Sequence, residues 1–600
     1  MLKTRNNHAA ANSTRPAGQF AADMRFLGRG PGEPFLPKKG SPGITPEKGS
    51  IRKPRGIGLP VALVYPNAYR IGMANLGFQF LYAHLNANPR FVVERFFFSY
   101  MPTHGARTVR ALVSEESARP LSQFPLIAFS IPFENDYPAI PGALMAAGIP
   151  PFQKDRASAD PVVIAGGIAV SLNPEPLAEF LDLVFVGEID DKPDPAPDAF
   201  FSLLADLLLS SETAGRDREE LLKHFRDVPA VYVPSAYAFD FKPDGLIRAI
   251  KPQPGFPSRV SAGKRTSKDA PVPVSVLFTP EAEFGDSLLV EAGRGCGRGC
   301  RFCAAGWTLL PSRHAGFARF REAVAESIAQ GRTIGLIGSD LASHPELEGV
   351  LRFIVQQGGK FSLSSIRPEG LTPSVIELLA QTGQRTATLA PEVASRRMKK
   401  IIGKDICSEK FYELVESLVS AGIPNVRFYF MIGLPGETDD DVREIVDFAR
   451  HSRKIFVNAS RRSRRIGKIG LQINPFVPKP WTPFQWAPTA LPDVLERRIA
   501  ILRDGLKKEP NLVLRVESPR TALFEAVLSR GDRRLAPGLV RLAQQGGQWS
   551  AAFKKEGIDP AFYAFRERGE NEIFPWDVVD HGVSKNTSWK VFRQAWVARE

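Results

Sequence analysis

"SLLVEAGRGCGRGCRFC", residues 287–303, runs from an apolar strand straight into a glycine-rich loop. The loop holds three of the chain's four cysteines, Cys296, Cys300 and Cys303, spaced C-x3-C-x2-C. Four cysteines in 600 residues cannot form a disulfide framework. A close-set trio in an intracellular, cytoplasmic setting reads as metal ligands or redox thiols. A structural zinc ion wants four protein ligands, and His314, eleven residues past Cys303, is a weak candidate for the fourth. A [4Fe–4S] cube is usually held by four Cys, so three leave one iron open to a ligand from outside the chain.

The strand before this loop opens a series. Five more apolar strands follow: "TIGLIGSD", "FSLSSIR", "TATLAPEV", "VRFYFMIGLP" and "LQINPFVPKP", most of them separated by helical segments. Six βα units predict a complete or partial TIM-like barrel over residues 281–488. Chemistry in such barrels sits on the loops after the strands, which is where the cysteines are. Upstream, over residues 57–190, the strands "GLPVALVYP", "FVVERFFF", "PLIAFSI", "PVVIAGG" and "LDLVFVGEI" alternate with helical stretches such as "GMANLGFQFLYAHLNANP". Buried strands in that order predict a doubly wound parallel sheet. Its ligand crevice lies beyond the strands' carboxyl ends, along Pro66–Gly72, Ser130–Glu134, Gly166–Val170 and Gly187–Glu188. The fold class is therefore α/β: an N-terminal doubly wound sheet, a six-unit barrel and a mainly helical C-terminal region, 489–600. A flexible basic leader, 1–56, precedes them, and a helical and irregular connector, 191–280, links sheet to barrel.

The net charge of +14 raises a nucleic-acid reading. Its distribution weakens it: residues 1–60 hold eleven Lys/Arg and three Asp/Glu, a net of +8, which leaves +6 for the other 540. A second basic spot, Arg461-Arg462-Ser463-Arg464-Arg465, is expected in a surface loop, solvated or touching RNA. No apolar run reaches the ~18 residues of a membrane helix, and the first twenty residues lack the apolar core of a secretory signal.

The motif C-x3-C-x-φ-C, with Phe302 before the last cysteine, resembles that of the radical SAM superfamily, and so does its place after the first strand of a six-unit barrel. The resemblance implies a [4Fe–4S] cluster on Cys296, Cys300 and Cys303, with S-adenosylmethionine at the open iron. It implies reductive cleavage to a 5′-deoxyadenosyl radical, and an electron donor of flavodoxin or ferredoxin type. The loop's glycines are expected to let the backbone wrap the cube, with Arg294, Arg298 and Arg301 offsetting its charge. The resemblance further implies that Gly338 and Ser339 in "GLIGSD" receive the methionine group, that Glu392 in "LAPEV" meets ribose or methionine, and that Phe302 and Gly433 in "MIGLPGET" lie near adenine. "NPFVPKPWTPFQW" (474–486) is a candidate lining of the substrate opening.

The front domain resembles the cobalamin-binding domains placed before many radical SAM barrels, "PVVIAGGIAVSLNPEP" above all. On that resemblance Gly166 and Gly167 admit a large flat ligand. One departure stands out. Where cobalt-ligating domains often carry D-x-H-x-x-G, this chain reads Asn67-Ala68-Tyr69-Arg70-Ile71-Gly72. Cobalamin is then either bound without a protein lower ligand or not bound. The chain as a whole resembles an uncharacterised branch of such proteins, which names no substrate. The implied function is radical modification of an unactivated carbon, C-methylation where cobalamin is present. The alternatives are an RNA modifier and a non-catalytic iron–sulfur or zinc scaffold. Cys407 stands apart and is not expected to complete the cube. The front domain has none of the additional cluster cysteines of methylthiotransferases.

Overall fold

Six strands build the first sheet: β1 (Leu59–Tyr65), β2 (Phe91–Phe97), β3 (Leu126–Ser130), β4 (Val162–Gly166), β5 (Leu183–Phe185) and β6 (Val231–Tyr232). In this computed structural model, which describes residues 47–54, 56–99, 112–189, 195–210, 217–264, 271–463 and 466–597, their order is β2-β1-β3-β4-β5-β6. The first five run parallel, with Leu59 opposite Phe91 and Val61 opposite Leu126, and β6 joins antiparallel through Val184 and Tyr232. Six of the seven β1 residues are buried, as a sheet covered on both faces requires. Helix Leu76–Ala87 starts where the Asn75 side chain accepts the Phe78 N–H, and it buries Phe78, Tyr82 and Leu85 against the sheet. The chain order reverses between β1 and β3, so a crevice opens beyond their carboxyl ends.

The segment expected as a connector does more than link. Helix Pro195–Leu209 buries Phe200, Phe201 and Leu204 on this sheet, and β6 completes it. A hairpin, β7 (Tyr237–Phe241) with β8 (Ile247–Pro252), and β9 (Val260–Ser261) follow. The end of the expected leader is also anchored. Glu47 is buried against Arg95, and Lys53 donates to the carbonyls of Asn88 and Phe91. The rest of that leader, residues 1–46, lies outside the described residues.

The six barrel strands form as expected: β10 (Leu288–Arg294), β12 (Thr333–Gly338), β13 (Lys360–Leu363), β14 (Thr386–Glu392), β15 (Asn425–Ile432) and β16 (Ile469–Pro475). They fall into two four-stranded sheets, β11-β10-β12-β13 and β14-β15-β16-β17. Two strands of these sheets were not expected. β11 (Arg313–His314) returns antiparallel on β10 after the cysteine loop. β17 (Leu512–Val516) extends the second sheet in parallel, Ile469 facing Leu512, inside the region read as helical. In β15 and β16 burial alternates. Phe428, Phe430, Leu471 and Ile473 are buried, whereas Tyr429, Met431, Gln472 and Asn474 are half-buried, the pattern of strands with a packed outer face and a more open inner one. The expected surface loop at 461–465 is also corrected, because helix Asp439–Ser463 runs through its first three residues with Arg461 exposed. Arg464 and Arg465 lie outside the described residues. Among those described, no helix is long and apolar enough to cross a membrane.

The C-terminal segment packs onto both earlier parts. Trp481, in the loop after β16, donates its indole N–H to the Leu172 carbonyl at 3.1 Å. His581 meets the Trp481 ring edge-on, and its Nε2 lies 2.8 Å from the Ser171 carbonyl oxygen. The His581 imidazole is buried, which pushes its pKa down to about 4. Folding therefore keeps it neutral. Its contribution is fully present above the unfolded value of about 6.5 and is lost as pH falls towards 4. Between pH 7 and pH 5 the loss should reach roughly 2 kcal/mol. Urea titrations of wild type and His581→Gln at both pH values check this. The wild type should lose that much more than the variant, and equal losses would refute the assignment.

Candidate active site

The three cysteines lie between β10 and the short helix Ala305–Thr308. Gly295 makes the entry at φ +78°, and a Cβ there would stand 2.1 Å from the Leu309 carbonyl oxygen, so only glycine fits. Cys300 is buried, and Cys296 and Cys303 are half-buried. Burial pushes all three thiols up; Lys404 and Arg367 oppose it at Cys300. Metal must therefore displace protons here. Among the described residues no three His, Cys, Asp or Glu side chains converge on one ion. A cube does not require that, since it takes one thiolate per iron. A soft thiolate trio on a loop of small residues fits an iron–sulfur cluster in donor chemistry.

Of the arginines expected to balance the cluster, Arg294 and Arg301 are engaged elsewhere, whereas Arg298 keeps an electrostatic contact with Cys296. Arg294 pairs with Glu188 and Glu291, Arg298 pairs with Asp340, and Arg301 donates to the carbonyls of Lys400 and Ile401. The cations beside Cys300 are Lys404 and Arg367 instead.

A cavity of about 440 Å³ is lined by Phe302 of the cysteine loop, Ser365, Glu392 and, from the later strands, Tyr429, Met431 and Asn474. Its lining also includes Lys479, Glu517 and Glu525. Glu392 ends β14 at φ +68°, a strained conformation for a residue with a side chain. Its carboxylate accepts from the Lys404 ammonium at 2.9 Å, and its charge reaches Cys300 and Cys303. Lys479 bonds Glu525 Oε1 at 2.8 Å and, from the loop after β3, Glu134 Oε1 at 2.6 Å. Burial works against its charge, but the two carboxylates outweigh it and push Lys479 up.

Other expected residues stand outside that lining. Ser339 is exposed, and a Cβ on Gly338 would collide with Leu341. Gly433 packs on Leu495 and gives its N–H to Glu437 Oε2 at 2.6 Å. Sequence reasoning missed Asp340, one residue past Ser339. Asp340 is 5% exposed; its Oδ2 takes Arg298 Nε at 3.0 Å and lies 3.8 Å from the Cys296 sulfur, while its buried Oδ1 has no partner. An orphaned carboxylate oxygen beside the cysteines suits a ligand ammonium. Cys407 is exposed, precedes helix Ser408–Ser420 without a side-chain hydrogen bond to it, and does not line the cavity.

In the front crevice Tyr69 is turned to protein. Its hydroxyl donates to Glu47 at 2.7 Å, and its ring meets Phe97 edge-on. Asn67 donates to Asp136 Oδ1 at 2.8 Å. The space that Gly167 spares is taken by the Ile131 backbone, whose carbonyl oxygen lies 2.6 Å from where a Cβ would stand, so its role is packing rather than ligand approach. Gly166 has only an ordinary neighbour at 3.7 Å. Two apolar side chains stand exposed at these strand ends, Phe133 at 57% and Ile168 at 38%. Apolar surface and a spare glycine face fit a flat ligand such as cobalamin; no side chain at positions 67 or 69 is offered as a cobalt ligand.

Comparison with known proteins adds to this geometry. The family described as the radical SAM superfamily matches residues 290–449, and that described as radical SAM proteins, N-terminal, matches 77–234. An uncharacterized protein of Methanocaldococcus jannaschii is 26% identical over 85% of this chain and 97% of its own. The ribosomal protein uS12 methylthiotransferase RimO of Salinispora arenicola is 26% identical over 49% of this chain, and the match spans 58% of that enzyme. Among solved structures, the radical S-adenosylmethionine methyltransferase TsrM from Kitasatospora setae, with cobalamin and a [4Fe–4S] cluster bound, aligns with a TM-score of 0.46 at 15% identity, covering 84% of this chain and 98% of that one.

Proposed function

We propose that this chain, a radical SAM enzyme, holds its [4Fe–4S] cluster on Cys296, Cys300 and Cys303 and modifies an unactivated carbon of a substrate bound in the barrel cavity. One observation carries the reading: the loop with the three thiols also places Phe302 in the wall of a cavity that the strained Glu392 shares. When bound, the cluster supplies the electron that cleaves the sulfonium of S-adenosylmethionine, and a donor of flavodoxin or ferredoxin type restores it.

The protein's own groups do the rest. Asp340 accepts the methionine ammonium on its spare Oδ1. Glu392, held by Lys404, faces the positive sulfonium region. Phe302, Met431 and Phe476 give the cavity apolar walls that exclude water. Lys479, fixed between Glu134 and Glu525, sets the polarity of the far wall.

A finer reading, C-methylation with cobalamin as methyl carrier, is supported by the exposed Phe133 and Ile168 at the crevice. Anaerobically reconstituted protein given S-adenosylmethionine and dithionite tests both. 5′-Deoxyadenosine is expected, and S-adenosylhomocysteine as well if methyl groups are carried. Neither product from a protein with a full iron complement would refute the proposal.

A further inference from the structure

The floor of the front crevice contains a polar group that the barrel chemistry does not use. Asp136, in the loop after β3, is 9% exposed. Its Oδ1 accepts from Asn67 Nδ2, while its buried Oδ2 has no hydrogen-bond partner. Leaving such an oxygen unpaired in a buried place is unfavourable, and the neighbouring buried Asn135 Oδ1 is orphaned too. The pair lies where the strand order reverses, which is where ligands of open α/β sheets bind. Phe133 stands exposed in the loop after β3 and Ile168 at the start of the short helix after β4, and a Cβ on Gly166 would meet only the Phe185 carbonyl oxygen, at 3.7 Å.

We infer that Asp136, held by Asn67, pairs with a primary amide on the rim of a corrinoid lying in this crevice, and that no side chain among the described residues ligates its metal. The inference rests on the cobalamin reading above. Its chemistry is specific. Burial pushes Asp136 up to about 7, so near neutrality its carboxyl exists in both forms. A carboxyl group offers an acceptor and, when protonated, a donor in one plane, and a primary amide complements both. The apolar side chains ask in addition for a flat hydrocarbon face. A corrinoid combines such a face with a rim of primary amides. A nucleotide base has a similar edge, but its phosphates would meet Glu134 and Glu188, whose cations are already engaged. Tyr69 cannot serve as lower ligand while its hydroxyl is given to Glu47.

The test titrates hydroxocobalamin into the anaerobically reconstituted full-length protein and follows retention on gel filtration and the corrin absorbance. Asp136→Leu should bind about tenfold more weakly, the worth of one hydrogen bond. Asp136→Asn, which can still pair with an amide, should stay within about threefold of wild type. Iron content and circular dichroism, unchanged in both, show that the fold is intact. The Co(II) form should give an EPR spectrum without axial nitrogen splitting. Equal retention by Asp136→Leu and wild type would overturn the role of Asp136 alone. Nitrogen splitting would overturn the unligated metal. If iron-replete wild type retains no hydroxocobalamin, or binds ADP in its place, the cobalamin reading itself falls and the inference with it.

Discussion

Replacing Cys296, Cys300 and Cys303 together by Ala should leave the chain folded and strip it of iron, from about four atoms per chain to none. The thiols contribute little packing, since two are only half-buried and all three lie on a loop. The core of the barrel, built from residues such as Val290, Leu336, Phe428 and Leu471, does not include them. Circular dichroism should therefore be unchanged, while the sulfur-to-iron absorption disappears and cleavage of S-adenosylmethionine falls to background. Retention of a full cluster would refute the ligand assignment.

Arg498→Leu should have the largest effect on stability. The Glu437 side chain is 1% exposed and that of Arg498 is 7% exposed, and Arg498 Nη1 bonds Glu437 Oε2 at 2.7 Å. Arg498 Nη2 also donates to the Glu437 carbonyl. Burial pushes Glu437 up to about 7 against the pull of Arg498. Removing the arginine strands a buried carboxyl, at a cost of roughly 3 kcal/mol. Without its cation the carboxyl titrates still higher, so the cost should be greater at pH 8 than at pH 6, where the proton itself neutralises the group. The double variant Glu437→Gln/Arg498→Leu should recover most of the loss. Urea midpoints at the two pH values check this; a pH-independent loss shared by the double variant would point to packing alone. Because Glu437 also takes the Gly433 N–H, the same change should loosen the loop after β15.

The strands were legible wherever burial is one-sided or complete. β1 and β4 are unbroken apolar runs, and β15 and β16 begin beside turn residues, so their period and limits show in the sequence. β6 has two residues and β11 has two, too few to carry a pattern. β17, "LVLRV", is half-buried at every position, so it shows neither alternation nor a buried run. The arginines of the cysteine loop misled for a different reason. Their charge pointed to the thiolates of their own loop, and Arg298 does reach Cys296, but Arg294 also finds Glu188, 106 residues away, and Arg298 is held by Asp340, 42 residues away. Pairing over that span is a product of topology. Asp340 was missed for the same cause, since nothing local distinguishes it from a surface aspartate.

Three sets of contacts tie the last hundred residues back to the first sheet. Asn173 donates to the carbonyls of Ser529 and Gly531, Arg533 pairs with the buried Glu175, and His581 meets Ser171. All three converge on the short stretch 171–175, directly after the turn that shapes the front crevice. The C-terminal helices are therefore a keystone, not an appendage. A limited digest that nicks the chain at residue 190 or 488 would not release separate modules, because each fragment leaves buried donors and charges of another without partners. Insertion, shuffling or truncation at those borders thus acts on the crevice and the barrel at once, and any drift in the last helices is constrained by the crevice turn some 350 residues before them.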